Sequence, residues 1–292
     1  MSEGNSNNQR LNTKMNQSRR KVDLVVISDV HLGTYGCHAK ELTEYLRSIH
    51  PNILVLNGDI IDGWAFSKSY FPGSHHQVLL EIMNLLSLGT IVYYITGNHD
   101  EMLRRFSDLN LGNFNLVDKL VLQLDGKRAW IFHGDIFDLS VNTGKWLAKI
   151  GGKSYDYLIV LNSIINWMLI KMGREKISIS KKIKASVKQA VKFTGDFEEI
   201  AAEHAIDQGY DYVVCGHIHQ AQKRIIRKEK GEVLYLNSGD WIENLTSLEY
   251  NKGSWKIYFH EEEIKHLIAD LITTMEIKKE TKKEPFIILN TL

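Results

Sequence analysis

Five short segments, far apart in the 292-residue chain, each end an apolar run in residue types that bind metals, most of them beside a glycine. They are Asp29-Val30-His31, Gly58-Asp59, Gly97-Asn98-His99-Asp100, His133-Gly134-Asp135 and Gly216-His217-Ile218-His219. Together they offer carboxylates, one carboxamide and several imidazoles, a donor set suited to two divalent cations of the first transition row. Alone, Asp29 or Asp59 reads as a cap or turn residue, and His133 as a hydrogen-bonded core imidazole. Their joint occurrence in this order points to a two-metal phosphoester hydrolase. Two metals about 3.5–4 Å apart need a bridging ligand, and a carboxylate with two oxygens serves best. Asp59 is the candidate, because Gly58 lets the backbone turn tightly before it. Asp29 and His31 are two apart and can point together only where a strand has broken into a loop, which places them on one metal. His217 and His219 share that spacing, with Ile218 between them facing the core. Asn98 supplies a neutral carbonyl oxygen, and His133 completes the second ion. His99 has no ligand role of its own. It can protonate the leaving oxygen as a general acid or contact the phosphoryl oxygens as a cation. Asp100 either holds the His99 ring or caps a helix beginning at Glu101.

The elements that must position these residues alternate along the chain. Residues 22–28, 53–56, 90–96, 129–132 and 212–215 are apolar at nearly every position, as strands buried on both faces are. Amphipathic stretches of helical length lie at about 39–49, 77–88 and 197–208. Residues 231–236 and 254–260 read as further strands, joined antiparallel. Strand–helix alternation implies a layered α/β fold, and in open α/β sheets ligands bind beyond the carboxyl ends of the strands. Each of the five motifs stands at such an end.

Composition is that of an ordinary globular chain, with 43% hydrophobic and 24% charged residues. A net charge of +1 argues against a general nucleic-acid binder. Cys37 and Cys215 form no framework, which fits a reducing compartment. Cys215 reads as a small buried residue, and Cys37, in the loop after the first motif, as oxidisable but not catalytic. Residues 1–20 are polar and lack the apolar centre of a signal peptide, so a disordered tail and a cytoplasmic location are expected. No run reaches the roughly 18–20 apolar residues of a membrane span. The expected organisation is a tail at 1–20, one hydrolase domain at 21–262 with a helical insertion at about 140–195, and an extension at 263–292. In the insertion, Lys181, Lys184, Lys188 and Lys192 recur on one helical face opposite Ile183, Val187 and Val191. That face is either simply solvated or a cationic wall for a phosphate-rich head group or anionic lipid. The nearly all-apolar segment 158–170 before it is either buried or lines an acyl-chain groove.

At the five motifs the chain resembles the calcineurin-like metallophosphoesterase superfamily, whose pattern runs D-x-H, G-D, G-N-H-[DE], a lone His and G-H-x-H. The resemblance spans about residues 22–260. It implies a four-layer α/β/β/α sandwich and two divalent ions, manganese first, with iron or zinc as alternatives. It also implies Asp29, His31, Asp59 and His219 around one ion, and Asp59, Asn98, His133 and His217 around the other. A hydroxide bridging the ions would then attack phosphorus. Within that superfamily the chain is similar to the UDP-2,3-diacylglucosamine diphosphatases of lipid A biosynthesis. The similarity rests on Asp29-Val30-His31-Leu32-Gly33, on His133-Gly134-Asp135 and on a basic helical cap before G-H-x-H. This resemblance implies a nucleotide-linked lipid substrate cleaved at its pyrophosphate and bound by the cap. Lys181, Lys184 and Lys188 are the cap residues expected to touch it, peripheral membrane contact through the cap is expected, and the net charge leaves no nucleic-acid partner expected. The chain departs from the best-studied of those enzymes at His99, where they carry arginine and most other metallophosphoesterases carry histidine. That departure suits a divergent branch, or a relative acting on a soluble phosphomonoester, cyclic nucleotide or phosphoprotein.

Overall fold

Apolar runs with no polar face can be strands only if both faces are covered, and two stacked sheets do this here. The computed structural model describes residues 19–64, 70–137 and 180–265, with side chains from residue 194 onward in the last segment. Its elements are β1 (Arg20–Ile27), α1 (Ala39–Ser48), β2 (Ile49–Asn57), α2 (Gly73–Ser87), β3 (Ile91–Ile95), β4 (Leu109–Leu111), β5 (Phe114–Val117), β6 (Lys119–Leu124) and β7 (Lys127–Phe132), followed by α3 (Ser180–Asp207), β8 (Tyr212–Cys215), β9 (Gln222–Lys228), β10 (Gly231–Asn237), β11 (Thr246–Asn251) and β12 (Ser254–Phe259). A seven-stranded sheet runs β12-β11-β1-β2-β3-β5-β4, and a five-stranded sheet runs β6-β7-β8-β10-β9.

Three apolar layers hold four structural layers together. Leu42, Tyr45 and Leu46 of α1 and Val78, Ile82 and Leu85 of α2 cover one face of the larger sheet, against Val25, Ile27, Leu54 and Leu56. Leu24, Val26, Val55 and Ile95 on its other face meet Ala129, Ile131, Val214 and Leu236 of the smaller sheet. Phe197, Ala201, Ala202 and Ala205 of α3 cover the outside of that second sheet, over Trp130, Phe132, Val213 and Tyr235. Three small alanines let the helix approach closely, and burying Phe197 is worth roughly 1.5–3 kcal/mol. The order is helix, sheet, sheet, helix.

The parallel ladders decide where chemistry can occur. β1 pairs parallel with β2, and β2 with β3; β7 pairs parallel with β8, and β8 with β10. The carboxyl ends of all six strands therefore open toward one pole, where the loops bearing the five motifs emerge.

Several boundaries differ from the sequence expectation. β10 pairs antiparallel only with β9; its other neighbour, β8, is parallel. α2 begins at Gly73, after Pro72 in extended conformation. α3 begins at Ser180, so the lysine-rich stretch and the expected helix at 197–208 are one helix. Arg19 and Arg20, assigned to the tail, belong to the fold. Arg19 donates to the Leu46 and Ile49 carbonyls and to Glu81, and Arg20 pairs in bidentate fashion with buried Glu249. Buried carboxylates require such partners. Residues 1–18, the apolar segment 158–170 and residues 266–292 lie outside the described residues. No described helix is long and apolar enough to cross a membrane.

Candidate metal centre

The motif residues are close because the backbone leaves the strands in an unusual conformation. Asp29, His31, Asp59, His217 and His219 all have positive φ, between 52° and 69°. Left-handed backbone costs a non-glycine residue about 1 kcal/mol or more. It also breaks the two-residue alternation of a strand, so residues two apart face the same way. The turns are tied to each other: Asp29 N–H donates to the Gly58 carbonyl at 3.1 Å, and the Val30 and His31 N–H groups both donate to the Asp59 carbonyl at 3.0 and 2.9 Å.

Side chains from separate strand ends consequently converge. Ligand-capable atoms of Asp29, His31 and His219 lie within 4.8 Å of one another, as do those of Asp59, His133 and His217, and those of His31, Asp62 and His99. Asp59 stands between the groups: its Oδ2 is 3.3 Å from His133 Nε2 and 4.0 Å from His31 Nε2. Its Oδ1 accepts the His99 backbone N–H at 2.8 Å, while Asp29 Oδ2 accepts the His217 N–H at 3.0 Å. Asp29 Oδ1, His31 Nε2, Asn98 Oδ1 and His133 Nε2 are buried with no hydrogen-bond partner among the described residues. Buried polar atoms are seldom left unpaired. A cluster of inward-facing oxygen and nitrogen donors suits divalent cations, so the residues fit the implied metals.

Two glycines are present for lack of space. A Cβ on Gly97 would lie 2.2 Å from Asp59 Oδ1 and 2.7 Å from the Asp59 backbone nitrogen. A Cβ on Gly58, itself at φ +82°, would lie 2.3 Å from His133 Nδ1. Gly97→Ala should therefore displace Asp59 while leaving the distant core intact. Because a 1 Å misplacement can cost on the order of 100-fold, we expect a loss of that size in turnover with little change in Tm. Unchanged turnover would show that the contact relaxes freely.

Charge balance at the centre is set by burial against mutual attraction. Burial raises the Asp59 carboxyl, but the imidazoles of His133, His31 and His99 outweigh it and hold it well below the usual carboxylate range. Asp29 is likewise raised by burial yet lowered to about 2 overall, chiefly by His219. Burial lowers His219, but Asp29, Asp240 and Asp59 carry it up to about 9, and Asp59 and Asp29 raise His133 against its own burial. Both imidazoles thus hold their second proton at pH 7, and a cation must displace it. Metal binding should release roughly two protons at pH 7, and affinity should rise with pH toward about 9, where His219 loses its proton unaided. Titration calorimetry in buffers of different ionisation enthalpy reads that count; proton-neutral binding would contradict a ligand role for both.

His99 stands apart, 24% exposed at its side chain, with Nδ1 3.0 Å from Asp62 Oδ2 and Nε2 4.0 Å from Asp59 Oδ2. Burial lowers it, but contact with Asp62 and the charge of Asp59 raise it overall. Asp100 neither holds this ring nor caps the short helix at Glu101–Phe106, whose cap makes no side-chain bond. Its carboxylate accepts from Gly97 N–H at 2.6 Å, Ile60 N–H at 3.0 Å and Tyr94 O–H at 2.6 Å. Three neutral donors in a buried pocket satisfy it there, so it fastens the Gly97 and Ile60 turns instead. The carboxylate beside His99 is Asp62, which also bonds His31 Nδ1 at 3.1 Å. The sequence reading missed it, although it follows Asp59 by three residues in the same loop. Trp64 lies over the His99 ring at 4.2 Å between centroids. The backbone of Lys181, Lys184 and Lys188 is helical, in α3; their side chains lie outside the described residues. Cys37 is half-buried, and burial with Glu41 nearby raises its thiol to about 12, which leaves little reactive thiolate.

The chain is similar to several known proteins. The UDP-2,3-diacylglucosamine hydrolase of Aliivibrio fischeri is 26% identical over 252 residues, covering 83% of this chain and 99% of that one. The protein of the same name from Porphyromonas gingivalis is 25% identical over 248 residues, covering 74% and 88%. A dimetal phosphatase from Danio rerio covers 81% of this chain and 95% of its own at 13% identity, with a TM-score of 0.37. A model of the calcineurin-like phosphoesterase family matches residues 22–221, a span that holds all five strand-end motifs. The chain belongs to the calcineurin-like phosphoesterase family.

Proposed function

We propose that this phosphoesterase cleaves the pyrophosphate of UDP-2,3-diacylglucosamine or a related nucleotide-linked lipid, using two divalent ions, manganese first. Asp29, His31, Asp59 and His219 would hold one ion, and Asp59, Asn98, His133 and His217 the other. The observation that carries the reaction class is the position of Asp59, with imidazoles of both groups around one oxygen. When bound, the ions supply Lewis acidity toward the phosphoryl oxygens and an activated water. Asp59 keeps its charge through the surrounding imidazoles and anchors both halves of the centre. His99, whose ring Asp62 and Asp59 make more basic against its burial, gives its proton to the leaving oxygen. Trp64 over His99, Met102 three residues after it in the chain, and Ile136 three residues after His133 expose apolar side chains that favour a substrate with an apolar part. The names of the curated relatives support the same substrate. Contact of the cap with the membrane face, and a role there for Lys181, Lys184 and Lys188, belong to this reading. A soluble substrate is the second reading, favoured by His99 after Asn98, the residue the wider superfamily pattern G-N-H-[DE] places there.

Turnover with added manganese should be compared across UDP-2,3-diacylglucosamine, bis-p-nitrophenyl phosphate, p-nitrophenyl phosphate and a cyclic nucleotide. Release of UMP from the first, at higher kcat/KM than the others, is expected. Hydrolysis of the aryl or cyclic diesters alone would overturn the lipid substrate and leave the reaction class standing.

A further inference from the structure

A sixth strand end carries the same signature as the five motifs and has no role so far. β10 ends at Asn237, and Gly239-Asp240 follows it. Asp240 is fully buried. Its Oδ1 accepts the N–H groups of Ile242, Glu243 and Asn244 at 2.8, 2.5 and 3.1 Å. Its Oδ2 accepts Asn244 Nδ2–H at 2.6 Å and lies 3.8 Å from His219 Nδ1. The same Asn244 amide donates to the His219 carbonyl at 2.9 Å, and Trp241 N–H donates to the Asp29 carbonyl at 3.1 Å. The loop from Gly239 to Asn244 thus fastens the main chain at two residues held in left-handed conformation, and turns one carboxylate oxygen toward an imidazole.

We propose that Asp240 and Asn244 are positioning residues that fix the orientation and tautomer of the His219 ring. A neutral imidazole has one donor nitrogen and one acceptor nitrogen, and an outer carboxylate holds the proton on the nitrogen it faces. His219 turns Nδ1 toward Asp240 and Nε2 toward Asp29 Oδ1, 3.3 Å away. Two other imidazoles follow the same arrangement. His31 Nδ1 bonds Asp62 and His133 Nδ1 bonds the Asn57 carbonyl, so each points Nε2 inward. Asp240 faces His219 Nδ1 at 3.8 Å from the same side that Asp62 faces His31 Nδ1 at 3.1 Å, a charge contact in the first case and a hydrogen bond in the second.

The inference rests on the reading of His219 as a metal ligand, and the experiment keeps the two separable. Metal-stripped full-length protein is titrated with manganese by calorimetry as wild type, Asp240→Asn, Asn244→Ala and His219→Ala. Asparagine at 240 still offers one carbonyl oxygen to the three backbone N–H groups but presents an NH2 where the carboxylate faced His219. One of the two binding steps should weaken about 10–100-fold in Asp240→Asn and less in Asn244→Ala, the size usual for outer partners of ligands. The other step should stay close to wild type. If Asp240 only closes its own turn, Asp240→Asn binds both ions as wild type does while His219→Ala does not, and the proposal is overturned. If His219→Ala also binds both ions normally, the ligand assignment itself fails. Should Asp240→Asn not fold, long-range 1H–15N spectra of zinc-loaded wild type decide. A proton on His219 Nδ1 with Nε2 unprotonated is expected, and the opposite tautomer overturns the proposal.

Discussion

Asp59→Asn is expected to lower manganese-supported turnover of bis-p-nitrophenyl phosphate on the order of a thousandfold or more, well beyond the 10–100-fold typical of outer partners. One carboxylate oxygen serves imidazoles of both ligand groups, at 3.3 Å to His133 and 4.0 Å to His31, and the other holds the His99 backbone. The asparagine variant keeps the shape but loses the charge that His133, His31 and His99 are arranged around. It also offers an NH2 to at least one nitrogen that needs a lone-pair acceptor or a cation. Bound metal, measured by mass spectrometry after desalting, should fall from two ions toward one or none. A variant that keeps two ions and near-normal turnover would remove Asp59 from the centre of the mechanism.

His99→Ala should behave differently. General acid catalysis contributes about 100- to 10,000-fold when the leaving group is a poor one, and His99 faces Asp62 and lies 4.0 Å from Asp59 Oδ2, farther than His133 does. We therefore expect both ions to be retained, a loss in that range on alkyl phosphodiesters, and a much smaller loss on p-nitrophenyl esters, whose phenolate leaves without a proton. Equal losses on the two substrate types would assign His99 to phosphoryl contact instead. Asp62→Asn should reproduce part of the alkyl-ester loss, because the ring would lose the carboxylate 3.0 Å from Nδ1. It should also weaken metal binding, because the same oxygen holds His31.

Strands buried on both faces were the most legible parts of the fold. β1, β2, β3, β7 and β8 follow from runs that are apolar at nearly every position, and their ends locate the centre. Edge strands were hidden by their own chemistry. β9 reads Gln-Lys-Arg-Ile-Ile-Arg-Lys, because one side of an edge strand faces water. β11 contains Glu249, a charge that looks misplaced in a buried strand until Arg20 and the Tyr45 hydroxyl are seen to satisfy it. The same limit applies at the site. Residues at the five motifs could be named from type and spacing, whereas Asp62 and Asp240 act through rings contributed by other loops, and only proximity reveals them. Asp100 illustrates the converse: adjacent in sequence to His99, it bonds two turns and a tyrosine that sequence distance conceals.

Left-handed backbone at Asp29, His31, Asp59, His217 and His219 has an evolutionary consequence. Asp and His tolerate that conformation better than most side chains, but glycine adopts it at no steric cost. Selection for stability alone would replace these residues, one strained position at a time, and each replacement would remove a donor. A lineage freed from catalysis should drift toward glycine or asparagine at these five positions and gain thermal stability as it lost chemistry.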